Sequence, residues 1–93
     1  QTRLTSKLKQ SLNKQIKVSI KIRNTFITGT LKEFDPYLNL ILEDTTETII
    51  NSKNQEIKRK MGKIVIRGDS VIYIDFQPEK SEIIMVQNIP SED

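Results

Sequence analysis

The chain has no cysteine and no histidine, and those two absences exclude whole classes of chemistry. Without thiols there is neither a disulfide framework nor a thiolate zinc site, and a reducing, intracellular setting fits. Without imidazole the Ser/His and Cys/His nucleophile systems are gone, as are the usual zinc ligand and the one side chain that titrates unaided near neutral pH. Catalysis would have to rest on carboxylates, lysines or tyrosines. The acidic residues Glu43, Asp44 and Glu47 have no metal-ligand spacing and read as solvated strand ends. The expectation is therefore a protein that is not an enzyme, with no catalytic residue, cofactor or bound metal. No apolar run reaches the length of a membrane span, and no apolar signal segment opens the chain, so a soluble, cytoplasmic protein without membrane contact is expected. Residues 1 to 32 also lack any acid while holding eight Lys or Arg; the rest carries seven bases and twelve acids. The net charge of +3 thus conceals a basic first third. It suits an anionic partner such as a nucleic-acid backbone, and equally a solvated basic helix and strand.

What is present fits one domain of 93 residues, with a core at 4–76 and an extension at 77–93, small enough that oligomerisation would help to stabilise it. Leu4, Leu8 and Leu12 recur at intervals of four, predicting a short helix over 4–13 with its leucine stripe in the core and Thr5 or Ser6 as its cap. Ile16, Val18, Ile20 and Ile22 then alternate with Lys17, Ser19, Lys21 and Arg23, the pattern of a strand over 15–24. A turn at Arg23–Thr25 leads to a second strand, 26–34, in which Gly29 suggests a bulge or bend. A third strand starts in the stretch EFDPYLNLILED and runs on through TTETII; a polar loop, NSKNQE, precedes a fourth strand over 56–66 and a fifth over 70–76. Bending at Gly29 and Gly62 turns this into an all-β fold: an N-terminal α-helix followed by a strongly bent five-stranded antiparallel sheet forming a small open barrel of SH3-like form. Beyond Pro78, SEIIMVQNI has strand character and suits an added strand or a partner contact, and residues 90–93 read as a frayed end.

The stretch EFDPYLNLILED also suggests a site. With Leu38, Leu40 and Leu42 turned inward, Tyr37 and Asn39 would share the opposite face of the third strand. An aromatic ring beside an amide suits a splayed single-stranded base, the ring stacking and the amide reading the Watson–Crick edge. Arg67 adds a planar cation for stacking or phosphate.

The run GTLKEFDPYLNLILEDTTE resembles the first motif of the Sm and Sm-like (LSm) RNA-binding proteins: a glycine, a Phe-Asp pair, an Asn four residues after the Asp, then apolar alternation into an acidic end. KIVIRGDSVIYI resembles their second motif, apolar residues around Ile-Arg-Gly, in the branch of the archaeal Sm-like proteins. Two motifs in the right order are more specific than either alone. The resemblance covers residues 4 to 76 and implies the same helix and bent five-stranded barrel. It implies that Tyr37 stacks on a base, Asn39 bonds its edge and Arg67 covers it from the opposite side. Asp35 would brace the loop, Gly68 would let backbone approach the nucleotide, and Asp69 would support the loop or contact the base. It further implies a homo-oligomeric, heptameric ring that binds U-rich single-stranded RNA, with other RNA-processing proteins as further partners. The turn at Arg23–Thr25 is one residue shorter than the family's usual Asn-Gly turn, and the tail beyond residue 76 has no counterpart in the core pattern.

Each of these residues has an architectural alternative. Tyr37 could shield the core rim, Asn39 could satisfy a backbone group in a bend, Arg67 could pair with Asp35 or Asp69, and Gly68 could supply a positive φ. Two other functions compete: one position in a eukaryotic hetero-heptameric ring of splicing or decay type, and an SH3-like protein-interaction barrel, which would want several aromatics along one groove. KIVI in the fourth strand and VIYI in the fifth carry no proline and no inward charge. As sheet edges they would invite pairing with a neighbour, and closed cyclic symmetry would satisfy every edge at once.

Overall fold

The computed structural model describes residues 2–86. Helix α1 (Thr2–Gln10) precedes six strands: β1 (Gln15–Ile20), β2 (Thr25–Phe34), β3 (Leu40–Ile50), β4 (Glu56–Ile66), β5 (Val71–Asp75) and β6 (Ile83–Met85). All pair antiparallel in one sheet of order β4-β3-β2-β1-β5-β6. The sheet is not closed, and β4 and β6 form its edges.

Leu4 and Leu8 are buried against the sheet, but the helix stops at Gln10 and leaves Leu12 37% exposed, so the leucine stripe is core for two of its three members. Thr5 and Ser6 lie inside the helix and do not cap it. The chain reverses at Asn13, which takes φ 66, a conformation Asn tolerates better than most residues. There Asn13 N donates to Leu31 O at 2.7 Å, fastening the end of the helix region to β2.

Alternation in β1 ends at Ile20, four residues earlier than the sequence pattern suggests. Lys21–Asn24 form a turn, leaving Ile22 61% exposed. Asn24 supplies φ 55, and Thr25 Oγ1 donates to Arg23 O at 3.0 Å, so this short turn closes without a glycine. The bends fall where expected. The register between β2 and β3 breaks around Gly29, where an added Cβ would lie 2.7 Å from Thr45 Cγ2, so the strands approach as closely as they do only because no side chain intervenes. Gly62 opposes Thr45 at the β3–β4 break, and Thr45 Oγ1 donates to Gly62 O at 2.6 Å.

The sixth strand corrects the expected count of five. Glu79–Ser81 turn the chain back, with Ser81 N donating to Gln77 O at 2.7 Å, and β6 then pairs Tyr73 with Met85, Ile74 with Ile84 and Asp75 with Ile83. A bare β5 would leave a row of unpaired backbone groups, which this apolar segment satisfies. The rest of the tail, including the expected frayed end at 90–93, lies outside the described residues.

The core joins Leu4 and Leu8 of the helix to Ile16, Val18, Leu31, Leu40, Leu42, Val71 and Ile74 from four strands, with Ile84 of β6 at its margin. Leu8 is fully buried. Leu8→Ala is expected to lower stability by about 2–5 kcal/mol through lost transfer energy and a cavity, read as a lower urea midpoint.

Candidate nucleic-acid interface

Two connections meet at the ends of β2, β3 and β4: the loop Asp35–Asn39 and the link Arg67–Ser70, the latter containing one 3-10 turn, Gly68–Ser70. Tyr37 and Asn39 are thus not neighbours on a strand. The strand begins at Leu40, because Asp35 and Pro36 fold the preceding residues into a turn in which Leu38 N donates to Asp35 O at 2.9 Å. Leu38 takes φ 65, an unusual conformation for a branched residue, and packs partly against the core.

Asp35 organises the loop from inside. Its Oδ1 accepts from the backbone N–H groups of Tyr37 at 2.9 Å and Asn39 at 3.0 Å, and its Oδ2 accepts from Asn39 Nδ2 at 2.9 Å. The Asn39 side-chain amide, followed by the backbone bonds from Asn39 and Tyr37, outweighs partial desolvation and holds the Asp35 carboxyl below its ordinary pKa. Asn39 then reaches the second loop, its Oδ1 accepting from Gly68 N at 2.8 Å. One amide therefore joins Asp35 to Gly68. These two contacts use one of its two N–H donors and one lone pair of its oxygen.

Gly68 sits hard against the first loop, where a Cβ would fall 1.8 Å from Tyr37 O. Its φ is not among the positive ones, so close approach, not turn handedness, is what requires glycine here. Arg67 Nη2 donates to Asp69 Oδ2 at 2.9 Å, both side chains being largely exposed, and Ser70 Oγ donates to Arg67 O at 2.8 Å. An exposed pair of this kind is weak and leaves the guanidinium exchangeable.

Tyr37 stands 80% exposed. With Leu38, Asn39, Arg67, Gly68, Asp69 and Val86 it lines a cleft of about 510 Å³. A second cleft, about 440 Å³, shares Asn39 and Arg67 and continues along Asp35, Phe34, Ile41 and Val65. The six residues singled out in the sequence therefore converge, Asp35 behind the others. Val86, Ile41 and Val65 were not singled out. Val86 belongs to the apolar tail segment, and nothing in either motif marks it as part of this cleft. A further cleft of about 460 Å³, between α1 and the turn after β5, is lined by Lys7, Lys14, Lys80, Glu79 and Glu82 and shares no residue with these two. The basic first third is partly used internally: Lys7 pairs with Glu82, Lys17 lies over the Phe26 ring at 4.2 Å, and Lys32 Nζ donates to Asn13 Oδ1 at 2.7 Å. The Tyr37 cleft holds no second aromatic: Phe76 is buried, and Phe34 packs on the core and lines the second cleft. Glu47, in the acidic cluster, pairs with Arg59 at 3.0 Å across β3 and β4. No helix among the described residues is long and apolar enough to cross a membrane.

Comparison with known proteins agrees with this architecture. The LSM domain family matches residues 6–76. A probable small nuclear ribonucleoprotein G of Medicago sativa is 38% identical over 68 residues, covering 73% of this chain and 76% of that protein. The crystal structure of a heptameric archaeal Sm protein superposes with a TM-score of 0.61 at 36% identity, covering 74% of this chain and 93% of that one. The Pyrococcus abyssii Sm protein in complex with a uridine heptamer superposes with a TM-score of 0.62 at 33% identity, covering 75% and 92%.

Two measurements test the loop junction. Gly68→Ala is expected to push the loops apart and lower stability by about 1–3 kcal/mol, read by urea denaturation. Because the folded-state pKa of Asp35 is depressed, its stabilising contribution is present above the unfolded value of about 3.9 and is lost as pH falls through the lower folded value. Thermal melting from neutral pH downward should therefore show a smaller acid loss for Asp35→Asn than for the wild type. Glu82, lowered by Lys7, titrates in both proteins and cancels in the difference.

Proposed function

This chain belongs to the LSM-domain family of Sm and Sm-like proteins, and from that membership we propose that it is an RNA-binding subunit of a homo-heptameric ring. It binds short U-rich single strands, one base pocket per subunit, and performs no chemistry on them. The observation that carries the reading is the exposed Tyr37 ring beside a cleft shared by Asn39 and Arg67. Tyr37 supplies a stacking face, and the free N–H and lone pair of Asn39 offer one donor and one acceptor to a base edge. Arg67 leaves its exposed pairing with Asp69 to cover the base or meet a phosphate. Asp35 and Gly68 act through Asn39, holding its amide in one orientation. Asp69 competes with the ligand for Arg67.

The heptameric and uridine-bound relatives support the ring and the ligand class. The protein acts in RNA processing, stability or ribonucleoprotein assembly, in the cytoplasm or, as the name of the plant relative suggests, the nucleus. A second reading, one position in a eukaryotic hetero-heptameric ring, is kept because this relative is a eukaryotic small nuclear ribonucleoprotein. The mass of the purified chain separates the two, because a hetero-ring subunit alone should not close a ring.

Tyr37→Ala is expected to weaken all single strands by about 1–3 kcal/mol per stacked base with folding unchanged, since the side chain is exposed. Asn39→Ala should reduce the preference for oligo-U over oligo-A by about 1–3 kcal/mol and, by removing the junction between the loops, also lower stability. Arg67→Ala should weaken binding and flatten its salt dependence by about one phosphate contact per pocket. Fluorescence anisotropy on oligo-U and oligo-A at two salt concentrations reads all three. Unchanged oligo-U affinity in intact rings of every variant would overturn the pocket.

A further inference from the structure

The two edges of the sheet are unequal. On one side runs β4, eleven residues long with no strand beyond it. Its first half carries exposed Lys58, Arg59 and Lys60, charges that discourage indiscriminate pairing, while its second half ends in Ile64, Val65 and Ile66, with Val65 64% exposed. On the other side β5 offers five residues; β6 pairs with three of them, and Val86 just beyond it bonds a fourth, Ile72. The cover lies outside the LSM-domain match, which ends at Phe76. It is also shallow. Ile84 alone of its three residues is buried, while Ile83 and Met85 are 46% and 55% exposed. Bonds at its two ends hold it: Phe76 N donates to Glu82 O at 2.8 Å, Val86 N donates to Ile72 O at 2.9 Å, and Glu82 pairs with Lys7 of the helix.

We propose that β6 is a displaceable cover over an interaction surface on β5, and that the strand which replaces it is β4 of a second copy of this chain. The inference rests on the ring reading above and adds to it a step that each subunit must take before assembling. Length favours the replacement: β4, eleven residues long, can pair along all five residues of β5, whereas β6 and Val86 together reach four. Composition favours it too, since the apolar end of β4 would meet the apolar run of Val71, Ile72, Tyr73 and Ile74. A head-to-tail ring needs one free edge of each kind on every subunit, and β6 occupies one of them. Proximity favours the cover. The connection Gln77–Glu82 is short, so β6 is present at a high effective concentration, in the millimolar range for short links, and β4 of another molecule displaces it only as the protein concentration rises. The cover thus sets an assembly threshold and keeps an isolated subunit from pairing indiscriminately. Its departure also removes Val86 from the wall of the Tyr37 cleft, so edge exposure and pocket shape change together.

The test locks β6 in place. Tyr73 and Met85 are register partners. The neighbouring 72/86 and 76/82 pairs carry the hydrogen bonds, which makes 73/85 a pair of the closely spaced, non-hydrogen-bonded kind. The chain has no cysteine of its own, so the 93-residue double variant Tyr73→Cys/Met85→Cys can form one intramolecular disulfide only. Sedimentation velocity over a concentration series, before and after reduction, should show the oxidised chain staying monomeric where the reduced chain assembles. Ile84→Asp in the 93-residue chain, which loosens the cover by placing a charge at its buried position, should assemble at about tenfold lower concentration than the wild type. Equal assembly of oxidised and reduced protein, or an unshifted Ile84→Asp threshold, would show that neighbours dock elsewhere and would overturn the cover while leaving the ring intact. If the wild type and every variant stay monomeric, the ring reading and this inference fall together.

Discussion

A single carboxamide joins the two motifs that lie 29 residues apart. Asn39 donates to Asp35 on its own loop and accepts from Gly68 on the other, and much of the local structure follows from that bridge. Asp35 is ionised at neutral pH and accepts three hydrogen bonds, so the loop is held by charge-assisted contacts although it buries little apolar surface. Gly68 must be glycine because the bridge draws it onto the Tyr37 carbonyl. Tyr37, whose backbone is held by Asp35 and overlain by Gly68, turns its ring outward.

This arrangement separates support from contact. The groups with internal partners, Asp35, Asn39 and the Gly68 amide, determine where the cleft lies. The exposed groups, Tyr37 and Arg67, keep side chains that can be given to a ligand at small internal cost, one having no side-chain partner among the described residues and the other a solvent-exposed pair. Asn39 belongs to both sets, which is why its loss is expected to affect folding and selectivity together. The bent sheet below supplies the rigidity, its core closed by Leu4 and Leu8 of the helix.

The outer edges of the same sheet follow a related logic. Backbone groups left unpaired at an edge attract another strand. In β4 charged residues guard one half of the edge, and in β5 the cover is a strand of the chain itself. Val86, bonded to Ile72 of β5 and lining the Tyr37 cleft, lies beyond the matched domain, so the segment after residue 76 touches both surfaces that a ring-forming RNA-binding subunit would use.

The element types and their order were legible because alternation in β1 and β2 and the leucine spacing in α1 are local patterns with direct structural causes. The identities of the cleft residues were legible through two short motifs. Their geometry was not. Tyr37 and Asn39 looked like strand neighbours because Leu38, Leu40 and Leu42 alternate, yet the Asp35 carboxylate captures two backbone N–H groups and makes a turn of the first part. Leu12 and Ile22 continued their patterns past the ends of α1 at Gln10 and β1 at Ile20, into turns that reverse at Asn13 and Asn24, residues whose short polar side chains tolerate positive φ. The sequence by itself determined a helix, a bent antiparallel sheet and the family to which both belong, because period and motif are properties of neighbouring residues. Only the tertiary structure decided that Asn39 spends one donor and one acceptor position inside the protein, that Gly68 is demanded by backbone contact, and that β6 lies on the β5 edge. Each of these depends on which distant segments meet, and no local pattern records that.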